Sequence, residues 1–300
     1  MELFLTELTR HGIEWQENCL LSEHSSFRIG GAAKCAIFPR MPFELIVAVN
    51  LASTHSVPLF VAGAGCNTLF DDQGFDGAVI FTKKMKRIVK NGSLWTVDAG
   101  VSLATLALEA QRDGLSGLEF AHGIPGTLGG AVFMNAGAFG GEMKDICVKS
   151  SCYNRVTQEV SPLAGETQEF AYRSSFYSTH PECLILGATL SLKEGDPAEI
   201  EERMKEYKRR RAASQPLEFP SAGSVFKRPV GDFAARLIDV CGLKGLRVGG
   251  AEVSEKHAGF IVNRGGATAD DVKKLIEMIK ERVQKETGVL LECEIRFLDF

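Results

Sequence analysis

Gly123-Ile124-Pro125-Gly126-Thr127-Leu128-Gly129-Gly130-Ala131-Val132-Phe133-Met134-Asn135-Ala136-Gly137-Ala138 is the stretch on which the reading of this chain turns. It holds five glycines in an uncharged run of small and apolar residues. A glycine inside a regular helix or strand costs roughly 0.5–1 kcal/mol relative to alanine, so so many of them need an offsetting interaction. A ligand whose phosphorylated part lies on the backbone supplies one, because a β-carbon would block the amide N–H groups.

A second glycine turn, Val61-Ala62-Gly63-Ala64-Gly65-Cys66-Asn67, follows a predicted strand. Threonine stands at position 68 in place of a third glycine, and no helix with a later ribose-binding acid follows. A nicotinamide-type Rossmann site is therefore disfavoured. Two loops closing around one extended dinucleotide remain.

Outward from these loops the chain alternates short elements. Ala36–Phe38, Leu59–Ala62 and Ala78–Phe81 read as strands, and Glu44–Ser53 as a helix with Leu45, Val49 and Ala52 on one side. Asn91-Gly92 between Arg87–Val89 and Leu94–Val97 predicts a hairpin through a type I′ turn. Ser102 caps a helix that Gly114 ends. Residues 146–193 read as strands, and Asp196-Pro197 opens a charged helix with Ile200, Met204 and Tyr207 facing inward. A helix around Phe233–Val240 follows. Another, from about Ala269 to Glu286, has Thr268 and Asp271 as its capping box and Gly288 as its stop. The chain closes with a predicted strand, Val289–Phe297, whose alternation puts Leu291, Cys293, Ile295 and Phe297 on one face.

Composition sets the class. The 300 residues are 45% hydrophobic and 24% charged, ordinary for a globular protein with two or three domains. A formal charge of −4 argues against a nucleic-acid partner. The eight cysteines form no Cys-x-x-Cys pair and sit mostly among apolar residues, which predicts reduced thiols in a cytoplasmic protein and no metal site. No signal-like start and no apolar run of membrane-spanning length is expected to tie it to a membrane.

Other candidates are weaker one at a time. Ser224 lies beside Gly223 in a short loop that ends in two cations, and its simplest reading is a capped turn. Arg173 near a strand is ordinarily an ion-pair partner. His257 has no second histidine or carboxylate at metal-ligand spacing, so its default is structural.

Together they are specific. Ser26-Phe27-Arg28-Ile29-Gly30-Gly31, the Gly63 turn, the Gly123–Ala138 stretch, Ala171-Tyr172-Arg173-Ser174-Ser175, Ala222-Gly223-Ser224-Val225-Phe226-Lys227 and Glu294-Ile295-Arg296-Phe297 occur in that order. The series resembles the UDP-N-acetylenolpyruvoylglucosamine reductase family from about residue 20 to the end, in its shorter-chain branch.

The resemblance implies an α+β fold with two α/β FAD-binding lobes, like those of vanillyl-alcohol oxidase relatives, plus a C-terminal α/β substrate-binding domain. The corresponding spans are 1–80, 81–208 and 209–300, with the last strand returning to the FAD lobes. It implies FAD and NADPH as cofactors and UDP-N-acetylglucosamine enolpyruvate as a small-molecule substrate, with no nucleic acid and no membrane involved; oligomeric state is not legible.

By similarity the catalytic set is Ser224 as general acid with Arg173 and Glu294. FAD would contact Arg28, the turn Gly63-Ala64-Gly65-Cys66-Asn67-Thr68, then Gly123-Ile124-Pro125-Gly126-Thr127, Gly129-Gly130-Ala131 and Asn135-Ala136-Gly137. The substrate would meet Tyr172, Lys227, Lys256 and His257.

This chain departs from the family pattern in two places. Cys66 replaces a usual serine, which removes a hydroxyl contact while leaving the backbone one. Gly259 replaces a common asparagine. His122 adjoins the flavin motif without implying a covalent link. A related FAD-dependent sugar or hydroxy-acid oxidase would share both loops but would not need Ser224, Arg173 and Glu294. A non-catalytic flavin-binding protein would not need them either.

Overall fold

A computed structural model describes residues 1–298, with helices and strands in an α+β arrangement. The helix expected over Glu44–Ser53 runs Pro42–Thr54. It opens on a proline whose missing N–H has no partner to lose in the first turn. Leu103–Arg112 is capped by Ser102, whose side chain accepts the Thr105 N–H at 3.0 Å.

Two local expectations change. In the hairpin, Asn91 pairs with Leu94, so the two-residue loop is Gly92-Ser93. Only Gly92 of the two takes a positive φ, +55°, which fits a glycine-first type II′ turn instead of type I′. At the C-terminus, only Arg296–Leu298 forms a strand. Leu291 and Ile295 are nevertheless buried as the alternation predicts. Upstream of that strand, pairing amounts to one antiparallel bridge, Cys293 with Phe226.

The chain divides into two compact units. The first comprises residues 1–17, 35–64 and 77–210. It contains a five-stranded antiparallel sheet, in the order Glu159–Ala164, Cys147–Asn154, Cys183–Ser191, Leu94–Asp98, Ile88–Asn91. Trp95, Leu106, Leu128, Val132 and Leu190 meet in one core, so Leu103–Arg112 and the short helix Leu128–Phe133 pack with the sheet. Each such burial contributes roughly 1.5–3 kcal/mol. A second core gathers Phe4, Leu8, Leu45, Val49 and Ile80. Beside it Leu59–Ala62 and Phe75–Phe81 run parallel, Leu59 opposite Ala78. The continuous burial of residues 77–81 is what a parallel strand covered on both faces requires.

The second unit comprises residues 18–34, 65–76 and 211–300, described to Leu298. Its antiparallel sheet has the order Ser221–Ser224, Phe260–Asn263, Ala251–Val253, Arg247–Val248. Helix Ala269–Thr287 packs Val272, Leu275, Ile276, Ile279 and Val283 into the core and stops at Gly288, φ +75°. The Thr268 and Asp271 capping box forms as predicted.

Polar anchors, of which only Asn263 is buried, bring the two early segments into this unit. Asp72 accepts the N–H groups of Ala269 (2.9 Å) and Asp270 (3.2 Å), adding negative charge at the positive end of the helix dipole. Lys273 reaches Asp71 at 2.9 Å. Buried Asn263 donates to the Phe27 carbonyl at 3.1 Å and accepts from Gly265 and Ala267. Phe27, Ile29 and Leu69 join the same core, and Arg296–Leu298 pairs in parallel with Thr68–Phe70.

Candidate active site

In the first unit the glycine-rich stretch is built as an irregular connection against residues 99–103. Leu103 donates to the Gly126 carbonyl, Leu128 to Val101 and Gly129 to Ala99, at 3.1, 2.8 and 2.8 Å. The N–H groups of 128 and 129 are thus spent inside the protein. Much of the glycine content has the same origin. A β-carbon at Gly63 would stand 2.3 Å from Thr127 Oγ1, and one at Gly129 2.9 Å from the Ala99 β-carbon.

Gly126 and Gly130 differ. A β-carbon at Gly126 would meet nothing within 4 Å, and at Gly130 only Thr127 Oγ1 at 3.8 Å. Gly126 also holds a φ of +136°, open only to glycine in practice. Two polar atoms of this segment, Thr127 Oγ1 and His122 Nδ1, are buried with no hydrogen-bond partner. Burial, then the charge of Lys208, pushes His122 below the usual imidazole value, which keeps it neutral. Orphaned polar atoms beside small open glycines fit a polar cofactor such as FAD, since a buried unpaired group costs about 1–3 kcal/mol until something satisfies it.

Asn135 behaves otherwise. Its side chain is fully buried and its polar atoms are committed within the protein. Nδ2 donates to Glu142 Oε2 (2.8 Å) and the Ala171 carbonyl (3.0 Å), and Oδ1 accepts the Lys144 N–H (2.9 Å). Nearby, Gly137 pairs with Glu142, and Arg173 Nη2 donates to the Gly137 carbonyl at 3.3 Å. The Arg173 guanidinium also lies 5.2 Å from the centre of the half-exposed Tyr172 ring. The first unit therefore gathers Asn135, Gly137, Tyr172 and Arg173 in one place.

In the second unit, Gly65 holds a φ of +65°, and a β-carbon there would sit 2.1 Å from the His24 carbonyl oxygen. Ser26 Oγ donates to the Cys66 carbonyl (3.4 Å) and to the Ser221 carbonyl (2.7 Å), clamping the glycine turn to the strand that leads to Ser224. Burial pushes the Cys66 thiol up, so it stays protonated. Arg28 is exposed on a left-handed residue, φ +55°.

Ser224 ends a strand kinked at Gly223, φ +81°. Beyond it, Glu294 donates its N–H to the Val225 carbonyl at 2.7 Å, and Val225 donates to the Gly259 carbonyl at 2.9 Å. Asn67 closes the group: its Nδ2 donates to the Glu294 carbonyl (3.1 Å), while its own carbonyl accepts from Arg296 (2.9 Å). Ser224, Glu294 and the Asn67 turn are thus held in register by main-chain bonds and the Asn67 side-chain amide.

Three substrate candidates lie in the second unit, each with a partner inside it. Lys227 pairs with Glu292 at 3.2 Å, and Lys256 donates to the Ala212 carbonyl at 2.7 Å. His257 Nδ1 accepts the Gly259 N–H at 3.1 Å, and burial lowers its pKa, so it is a neutral imidazole. Sequence reasoning did not single out Glu142 or the Ser26 clamp, and it met Glu292 only on the charged face of the final predicted strand. Asn135 and Ser26 were visible only as members of motifs. Among the described residues, no cluster of three or more His, Cys, Asp or Glu side chains could hold a metal ion. No described helix is long and apolar enough to cross a membrane.

Comparison with known proteins identifies the family. Residues 33–155 match the family described as "FAD binding domain", and residues 215–298 the one described as "UDP-N-acetylenolpyruvoylglucosamine reductase, C-terminal domain". A UDP-N-acetylenolpyruvoylglucosamine reductase of Caldicellulosiruptor bescii is 42% identical over 97% of this chain and 93% of its own. One from Lactobacillus delbrueckii subsp. bulgaricus is 41% identical over 98% of both. The crystal structure of the enzyme from Thermus caldophilus superposes with a TM-score of 0.80 at 37% identity, covering 96% of this chain and 99% of that one.

Proposed function

The chain belongs to the UDP-N-acetylenolpyruvoylglucosamine reductase family, and from that premise we propose which of its residues carry the reaction. The activity is FAD-dependent reduction of UDP-N-acetylglucosamine enolpyruvate to UDP-N-acetylmuramate with NADPH, in peptidoglycan precursor synthesis. When bound, FAD supplies the redox chemistry, taking two electrons from NADPH and passing them to the enolpyruvyl group.

The cofactor is held by the Gly63–Thr68 turn, by residues 123–131 and by Ala136 and Gly137, with the Thr127 hydroxyl and open backbone at Gly126 and Gly130 in support. Arg28 adds a cation. Reduction at the terminal methylene carbon pushes negative charge onto the neighbouring carbon and its carboxylate. Arg173, always charged and planar, is suited to neutralise that charge. Glu294 hydrogen-bonds the same group, and Ser224 delivers the proton to the remaining carbon. A serine hydroxyl is a very weak acid, so the step needs a site shielded from water. Tyr172, Lys227, Lys256 and His257 bind the substrate. Lys227 is engaged by Glu292, so substrate must compete with or join that ion pair. A cytoplasmic location fits the eight thiols.

The single observation that carries this reading is the Glu294 N–H to Val225 carbonyl bond, which sets the carboxylate residue beside the serine loop. The test is NADPH oxidation by wild type and Ser224→Ala. Wild type should turn over continuously only when the enolpyruvyl nucleotide is added. Ser224→Ala should keep flavin reduction by NADPH and lose about 10²–10⁴-fold in turnover. Unchanged turnover in Ser224→Ala would remove the serine from the proton step. Oxygen-dependent oxidation of a sugar alone would favour the related oxidase.

A further inference from the structure

Arg173 sits at a backbone position that resists an arginine. Ala171 and Ser174 exchange hydrogen bonds, N–H to carbonyl, at 3.0 and 3.3 Å, closing a four-residue turn. Arg173 is its third residue, at φ +53°. That is the position where a type II turn favours glycine or asparagine. A non-glycine residue held there is strained and persists only where its surroundings over-determine it.

Two anchors do so. Ser175 Oγ donates to the Phe133 carbonyl at 2.8 Å. The other is Asn135, which binds the turn's first carbonyl, on Ala171, at 3.0 Å. The same Nδ2 holds Glu142, whose backbone pairs with Gly137, and the Gly137 carbonyl accepts the Arg173 guanidinium. One fully buried amide therefore fixes both ends of the arginine: the turn that carries it and the segment that orients its side chain. Asn135 is itself left-handed, φ +40°, a conformation asparagine tolerates better than most residues.

We propose that Asn135 is a positioning residue for Arg173, acting through the Ala171 carbonyl and the Gly137–Glu142 pair, and not a ligand of the cofactor. The proposal rests on the family reading, in which Arg173 stabilises charge on the substrate. It separates the two half-reactions, because an arginine displaced by about 1 Å costs on the order of 10²-fold in the step it serves, while FAD binding and flavin reduction do not use it.

The experiment uses FAD-loaded enzyme with Asn135→Gly and Asn135→Asp. Asn135→Gly keeps the left-handed backbone open. Asn135→Asp keeps the shape and the bond from the Lys144 N–H but loses both donors. FAD affinity is measured by titration of apo-protein. Flavin absorbance then follows reduction by NADPH and, separately, reoxidation by the enolpyruvyl nucleotide. The expected result is FAD affinity and flavin reduction within about threefold of wild type, with reoxidation slowed about 10²-fold. FAD affinity lowered tenfold or more, with reoxidation of the remaining holoenzyme unchanged, would overturn the proposal and make Asn135 a cofactor ligand. Equal slowing of both half-reactions would overturn it too, as general disorder. If Asn135→Gly does not fold, Asn135→Asp decides alone. Failure of wild type to be reduced by NADPH or reoxidised by the nucleotide would instead sink the family reading.

Discussion

Substituting Gly63 by alanine tests whether the first glycine turn is glycine because of protein packing or because of a ligand. The added methyl would stand 2.3 Å from Thr127 Oγ1, while the next atoms of Thr127 lie at ordinary distances, 3.4 and 3.6 Å. Gly63 does not hold a left-handed φ, so the strain is steric alone. Thr127 is 3% exposed, and the backbone beside it is tied at Gly126 and Leu128. The hydroxyl can therefore leave only by rotating within a packed site. Overpacking of this kind costs about 1–3 kcal/mol, or about 2–12 °C in the melting of a unit this size.

Thr127→Ala alone removes the unpartnered hydroxyl, which relieves a buried polar cost, and the Cγ2 methyl, which contributes about 0.8 kcal/mol of burial, so the two changes partly offset in the apo-protein. The double variant should recover most of the loss, because the new methyl then faces only the Thr127 β-carbon position. A coupling of at least about 1 kcal/mol is expected from the cycle. Losing a cofactor hydrogen bond worth about 0.5–1.5 kcal/mol should weaken FAD binding by about 2–12-fold in Thr127→Ala. Melting of apo-proteins and titration with FAD measure the two effects independently. A double variant melting as low as Gly63→Ala would refute the packing account.

Two further changes probe what holds each unit. Burial raises the Glu119 carboxyl, but its own N–H, that of Gly117, the Ser116 hydroxyl and Arg203 outweigh it, leaving the folded pKa below the usual 4.5. A depressed carboxylate contributes stability that is present above its unfolded value and lost as pH falls through its folded one. Glu119→Gln should therefore cost about 1–2 kcal/mol at neutral pH, discounted for the half-exposed Arg203, with the gap closing in acid below pH 4.5; an equal gap at every pH would exclude the charge as cause. In the second unit, Asn263→Leu would strand the Phe27 carbonyl and the N–H groups of Gly265 and Ala267. A loss of about 3 kcal/mol or more in urea unfolding is expected, and a loss under 1 kcal/mol would show that the anchor contributes little.

Regular elements were legible in this sequence wherever a local rule decides them. The helix Ala269–Thr287 carries its cap, its apolar face and its stop within its own residues. The grouping of residues 18–34 and 65–76 with the C-terminal residues was not legible. It depends on Asp72 capping a helix almost two hundred positions away and on Asn263 reaching Phe27, pairings that no local pattern announces. The final strand misled for a related reason. Leu291 and Ile295 are buried on one face and Cys293 meets Phe226 in a single antiparallel bridge, but regular strand pairing begins only at Arg296.

The site was legible in a different way. Five of the six motifs contain a residue at positive φ: Arg28, Gly65, Gly126 with Asn135, Arg173 and Gly223. Helix and strand propensities describe right-handed and extended backbone, so they are silent or wrong at such positions. A fixed order of irregular segments is what they leave behind, and order is what a family resemblance reads. The glycines themselves were ambiguous between two causes that look alike in sequence. At Gly63 and Gly129 the β-carbon would strike protein, whereas at Gly126 and Gly130 it would enter open space. Only the second pair argues for a ligand. The first pair brings Thr127 and Ala99 close enough to build the surface on which that ligand would lie.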